Sequence, residues 1–137
     1  YFLADDDLID PDGLATLVSQ NEWFGNVSYG RCEVQDEQPD GTFKHACWCF
    51  DGQNVGKSTG IEPDCRLDSG QVLFTKGLWD AVTADGWQLT DKIEEAAHVD
   101  GILLNKFAEI ATFHYVPQRI VTHRRTKLSS WHKPQLL

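Results

Sequence analysis

Methionine is missing from the chain altogether, and no apolar run in its 137 residues approaches the ~20 needed to cross a membrane as a helix. No charged-then-apolar leader precedes the opening Tyr1, as expected of a mature polypeptide whose signal peptide has been removed. Complete catalytic, cofactor and metal motifs are missing too. There is no Gly-x-Ser-x-Gly elbow for a serine nucleophile. The glycine-rich stretch Asp51 to Gly60 has three residues between Gly52 and Gly56 where a phosphate-binding loop needs four. Gly60 and Pro63 then follow where that loop would open into a helix. Setting Gly13 at the glycine of an EF-hand loop puts Leu8 at its first position and Ser19 at its closing glutamate, so calcium has no cage there. Cys47-Trp48-Cys49 lacks the two-residue spacer that lets two thiolates wrap one tetrahedral zinc, and no second pair accompanies it. No cofactor and no metal are expected.

Acid is lacking from one end of the chain. All 21 Asp and Glu fall within residues 1–109, against seven Lys and Arg. Residues 110–137 carry Arg119, Arg124, Arg125, Lys127 and Lys133 and no acid. An acidic body with a basic tail can satisfy itself by laying the tail on its own body or on that of a second copy. Arg119, Arg124, Arg125, Lys127 and Trp131 are therefore the candidate interface residues. Tyr115 and Trp131 interleave with these cations, but the acidic body would repel a phosphate backbone at long range, which disfavours nucleic acid as a partner.

What is present begins with four cysteines, Cys32, Cys47, Cys49 and Cys65. An even count without zinc spacing points to an oxidising compartment and hence to secretion. The acceptor triplet Asn26-Val27-Ser28 makes Asn26 a candidate glycosylation site in the same setting. Asn26 to Val34 and Thr42 to Phe50 read as the two arms of an antiparallel hairpin around Pro39-Asp40-Gly41, with Cys32 near the height of Cys47. Strict alternation puts Phe43, His45, Cys47 and Cys49 on one face. A Cys47–Cys49 bridge would span next-but-one residues of an extended strand, at or beyond disulfide reach. Two pairings stay open: Cys32–Cys47 with Cys49–Cys65, or Cys32–Cys49 with Cys47–Cys65.

Along the rest of the chain, Asp10-Pro11 caps and starts a helix to about Gln20, and Gln71 to Lys76 is a strand. Residues 77–89 lean to a short helix that stops at Asp85-Gly86. Asp91 to Asp100 is a helix closed by Gly101, and Ile102 to Ile110 is a second helix or a strand. Ala111 to Val116 and Arg119 to Arg124 alternate as strands about a turn at Pro117-Gln118. That hairpin would set His114 and His123 at one height, beside Arg119 and Arg124 and near Glu109. Two imidazoles with neighbouring cations are what metal-free RNA cleavage needs, so this group is the candidate catalytic set of a small secreted ribonuclease. Five tryptophans are many for this length. Trp79 and Trp87 are assigned to the core, and exposed ones would suit carbohydrate stacking or a protein interface.

A hydrophobic share of 41% over 137 residues supports one real core, so residues 1–137 are read as a single secreted domain. The expected fold is α+β: a mainly antiparallel sheet, curled toward a barrel, with two or three short helices and two disulfides. With Cys32, Cys47, Cys49 and Cys65 in an acidic chain of this size, the layout resembles the small secreted four-cysteine effectors and elicitors of filamentous fungi. That resemblance implies an extracellular, non-enzymatic protein that acts by binding another protein, a second copy of itself included. The ribonuclease and, behind it, a carbohydrate-binding module are the alternatives.

Overall fold

The computed structural model describes residues 7–24, 27–49, 63, 67–87 and 99–126. The elements run β1 (Asp7–Ile9), α1 (Pro11–Phe24), β2 (Val27–Glu37), β3 (Phe43–Trp48), a single 3₁₀ turn (Ser69–Gln71), β4 (Val72–Phe74), α2 (Lys76–Thr83), α3 (Val99–Ile110) and β5 (Phe113–Arg125). Five strands form one sheet in the order β1-β5-β2-β3, with β4 also paired to β2. The sheet is mixed and open. Its spine is a parallel pairing of β2 with β5, and β1, β3 and β4 join antiparallel. This corrects the mainly antiparallel, barrel-like expectation: a β2-to-β5 connection that passes through a helix allows parallel pairing, which local alternation does not reveal.

Sequence dictates the local starts. Asp10 accepts from the Asp12 and Gly13 amides at 3.1 and 3.2 Å, capping α1 beside Pro11 at the first helical position, and the helix runs four residues beyond the expected end. Thr75 caps α2 by accepting from the Leu78 amide at 3.2 Å. The β2–β3 hairpin turns where Pro39-Asp40-Gly41 was expected to turn it, with Gly41 at φ +84°. Residues 77–83 are helical, as the leaning had it, and so are 102–110. Gly101 lies inside α3 and does not close a helix. Residues 91–98 of the expected preceding helix lie outside the described residues, as do Asn26, Cys65, Lys127 and Trp131.

The two halves of the sheet are packed differently. Val27 to Gly30 are all buried, because β4 and the helices cover this half. One cluster joins Val27, Tyr29, Val72 and Phe113 to Leu78 and Val82 of α2 and Leu103, Leu104 and Phe107 of α3. Trp79 and Trp87 pack against it, partly buried. A second cluster sets Leu17 of α1 on Val116 and Ile120 of β5. Burying side chains of this size stabilises by roughly 1.5–3 kcal/mol each.

Three register shifts, two between β2 and β5 and one between β2 and β3, decide where functional side chains point. Tyr29 pairs with Tyr115 but Arg31 with Arg119, so β5 carries extra residues around Pro117. The turn expected at Pro117-Gln118 is therefore a bulge within one 13-residue strand, a place where a strand tolerates proline. In β3, Val34 pairs with Cys47 and Gln35 with His45, leaving Ala46 extra. His45 and Cys47 consequently oppose neighbouring β2 residues and lie on opposite faces, not on one. Cys32 is level with Cys49, whose amide donates to its carbonyl at 2.9 Å, not with Cys47. Cys32, Cys47 and Cys49 are free thiols in this structure.

Candidate functional site

Beyond Gly30, successive side chains of β2 alternate between the faces, and Arg31, Glu33, Gln35 and Glu37 share one of them. The ladders set Arg119, Thr122 and Arg124 of β5 on one flank of this row and Trp48, His45 and Phe43 of β3 on the other. Leu8 of β1 pairs with Thr122 and extends the surface. Glu33 and Thr122 at its centre are buried, whereas Leu8, Arg119, His45 and Trp48 are exposed. A recess of about 340 Å³ opens among Leu8, Pro11, Gln35, Arg119 and Arg124.

Glu33 is the electrostatic centre. One carboxylate oxygen lies 3.0 Å from His45 Nδ1 and the other accepts from Arg119 at 3.0 Å. Burial pushes its carboxyl up, but hydrogen bonds with His45, Arg119 and Gln35 and the Arg119 charge together hold it below the usual range. Arg119 reaches a second carboxylate, Asp10 Oδ2, at 3.4 Å, which ties the start of α1 to the sheet. The Glu33 bond and, after it, the Asp10 bond raise the Arg119 guanidinium against the effect of burial.

Two further guanidiniums lie over aromatic rings. The Arg31 Cζ is 3.7 Å from the Trp48 ring centroid, and the Arg124 Cζ is 4.5 Å from that of Phe43. Arg124 also donates from Nε to Gln35 Oε1 at 3.4 Å. A guanidinium held over a ring loses less side-chain entropy on meeting an acceptor than one free in solvent. The two pairs stand about four β2 residues apart, roughly 13 Å at ~3.3 Å per residue.

The opposite face of the same strands carries Cys32, Val34 and Asp36, with Val121, His123 and Arg125 beside them. His123 Nδ1 lies 2.6 Å from Asp7 Oδ1, and Arg125 is joined side-on to Asp36 by bonds of 2.6 and 2.8 Å.

The two histidines expected to act together do not meet. His114 pairs with Ser28 and His123 with Val34, six β2 residues apart, or about 20 Å along the strand. Glu109 is exposed near the end of α3, on no strand. Arg119 and Arg124 do share a face, but their companions are Glu33 and His45. Local sequence does not show this, because Glu33 meets Arg119 only through the parallel register and His45 reaches this face only through the extra residue at Ala46. Arg119, Arg124 and Arg125, expected at an interface, all bond within the chain. Among the described residues no group of three or more His, Cys, Asp and Glu could hold a metal ion, and no helix is long and apolar enough to cross a membrane. Comparison of the chain with protein-family models and with curated proteins gives no match.

Proposed function

We propose that this chain is an extracellular, effector- or elicitor-like binding protein without catalytic activity, and that its partner is a protein presenting carboxylates to the open half-face of the sheet. The observation that carries this is the pair of arginines lying over aromatic rings, Arg31 over Trp48 and Arg124 over Phe43, on a strand surface where Trp48 is exposed and the other three are half-buried. Arginine and tryptophan are the residues that dominate protein interfaces, and a ring-held guanidinium offers a preorganised fork to a carboxylate. Binding by this face leaves the outer edge of β3 out of the contact. Lys44 and the bulge at Ala46 suit that edge to resisting strand addition. The carboxylate–imidazole contact on the face, Glu33 with His45, is a direct hydrogen bond, which leaves little room for a scissile group between them.

A random peptide library displayed on phage and panned against the wild-type protein tests the reading. Enriched clones are expected to carry acidic residues, to weaken with salt, and to lose binding to a Trp48→Ala/Arg124→Ala variant that keeps the wild-type circular dichroism. Clones that bind the variant equally well would sink the assignment of the face. An RNA-cleaving activity abolished by either His114→Ala or His123→Ala would instead restore the ribonuclease reading. A salt-sensitive dimer in light scattering, unchanged in the face variant, would move the contact to the basic tail.

A further inference from the structure

Cys32 and Cys49 form a directly opposed pair across the β2–β3 ladder. The Cys49 amide donates to the Cys32 carbonyl at 2.9 Å, one step beyond the Glu33–Trp48 pair. Opposed residues of an antiparallel ladder have Cα atoms about 4.5–5.5 Å apart, inside the range a disulfide needs. Cys47 opposes Val34, so it is diagonal to Cys32, and diagonal neighbours stand about 7–8 Å apart, outside that range. The Cys32 Sγ donates to the backbone carbonyl of Glu33 at 3.7 Å. The two cysteines differ in access: Cys32 is fully buried, whereas Cys49, just past the end of β3, is partly exposed.

We propose that Cys32 and Cys49 are a thiol–disulfide exchange site whose co-reactant is a low-molecular-mass disulfide of the oxidised-glutathione type. Cys49 is the entry point because it is the member of the pair that is not fully buried. Its thiolate attacks one sulfur of the incoming disulfide, an S–S bond breaks as the new one forms, and the first glutathione thiolate leaves. The Cys32 thiol passes its proton to that thiolate and then attacks the Cys49 sulfur. The mixed disulfide breaks, Cys32–Cys49 forms and the second glutathione departs as thiolate, to be protonated by water. Two protein thiols are oxidised and one glutathione disulfide is reduced to two thiols. The local electrostatics suit this order. The neighbouring Cys32 thiol lowers the Cys49 thiol, helped by His123 and opposed by burial and by Asp68 and Asp7. The Cys49 thiol and burial push Cys32 up.

The test uses the full chain with Cys47→Ser, which removes a competing exposed thiol without touching the pair. Reduced protein is mixed with oxidised glutathione, quenched by alkylation and mapped by fragmentation of its peptides. The expected product is a Cys32–Cys49 link with no retained glutathione, reopened by excess reduced glutathione. Adding Cys32→Ala is expected to trap glutathione on Cys49. Should that variant fail to fold, Cys49→Ser gives the complementary reading, a reduced and unmodified Cys32. A link from Cys32 to any other cysteine, glutathione retained on Cys49 while Cys32 is present, or a link that excess thiol does not reopen would each overturn the proposal.

Discussion

The side chain of Gln71 is fully buried and donates from Nε2 to the backbone carbonyl of Gly30 at 2.8 Å, 41 residues away in sequence. Gly30 sits where the β2–β5 register slips, so its carbonyl is served by this side chain. The Gln71 Oε1 in turn accepts from the Asp68 amide at 2.8 Å, locking the 3₁₀ turn to the bend in the sheet. Gln71→Leu keeps the bulk and removes both bonds. The expected loss is about 1–3 kcal/mol, the cost of stranding a buried acceptor, read as a lower urea midpoint with little change in slope.

Gly30 itself has no room for a side chain. A Cβ there would run into Ile120 Cγ1 and stand 2.7 Å from the Gln118 carbonyl oxygen. Gly41 is the opposite case, with open space around it but φ at +84°. Gly30→Ala is expected to cost about 1–3 kcal/mol by overpacking, and to cost less when made in an Ile120→Ala background, which lacks both Cγ1 and Cδ1. Gly41→Ala should cost about 1 kcal/mol from backbone strain alone, and no neighbouring truncation should relieve it. An Ile120→Ala background that lowers the cost of both variants equally would refute this distinction.

Glu33 makes stability depend on pH in a stated direction. Its folded carboxyl titrates below the ordinary value of 4.5. The contribution is therefore fully present above that value and is lost as pH falls through the folded value. The Glu33→Gln variant is expected to be less stable than wild type at neutral pH by about 1 kcal/mol, because the Arg119 partner is nearly half exposed. The difference should shrink progressively below pH 4.5. Urea titrations across the acid limb would measure it, and a gap that widens with acid would contradict the assigned network.

Much of this fold could be read locally. Asp10-Pro11 announced α1 and Pro39-Asp40-Gly41 announced the hairpin, because a cap and a turn are written into adjacent residues. The β2–β5 pairing could not be read, since nothing local tells a strand whether its neighbour runs parallel. Pro117-Gln118 carried a genuine turn signal that the ladder absorbed as a bulge. The open face was hidden for a related reason: Glu33 and Arg119 are 86 residues apart, and only the parallel register joins them. The extra residue at Ala46 then moved His45 onto that face, where strict alternation had grouped it with Cys47.

Two cations of the acid-free segment, Arg119 and Arg125, are paired with carboxylates of the same chain. Arg125 lies opposite Asp36 on the parallel ladder and grips it with two bonds, Nε to Oδ1 and NH2 to Oδ2, with both side chains less than one-third exposed. The hydrogen bond with Asp36 raises the Arg125 guanidinium against the effect of burial. A forked, partly buried pair of this kind is stronger than an ordinary surface pair, so Arg125→Ala is expected to cost about 1–2 kcal/mol. The informative measurement is a double-mutant cycle with Asp36→Asn at low and high salt. A coupling energy near 1 kcal/mol that survives 0.5 M salt would show that the basic end of β5 is committed to its own body. A coupling that vanishes with salt would leave Arg125 available to a second copy and would return self-association to the first rank of explanations for the basic tail.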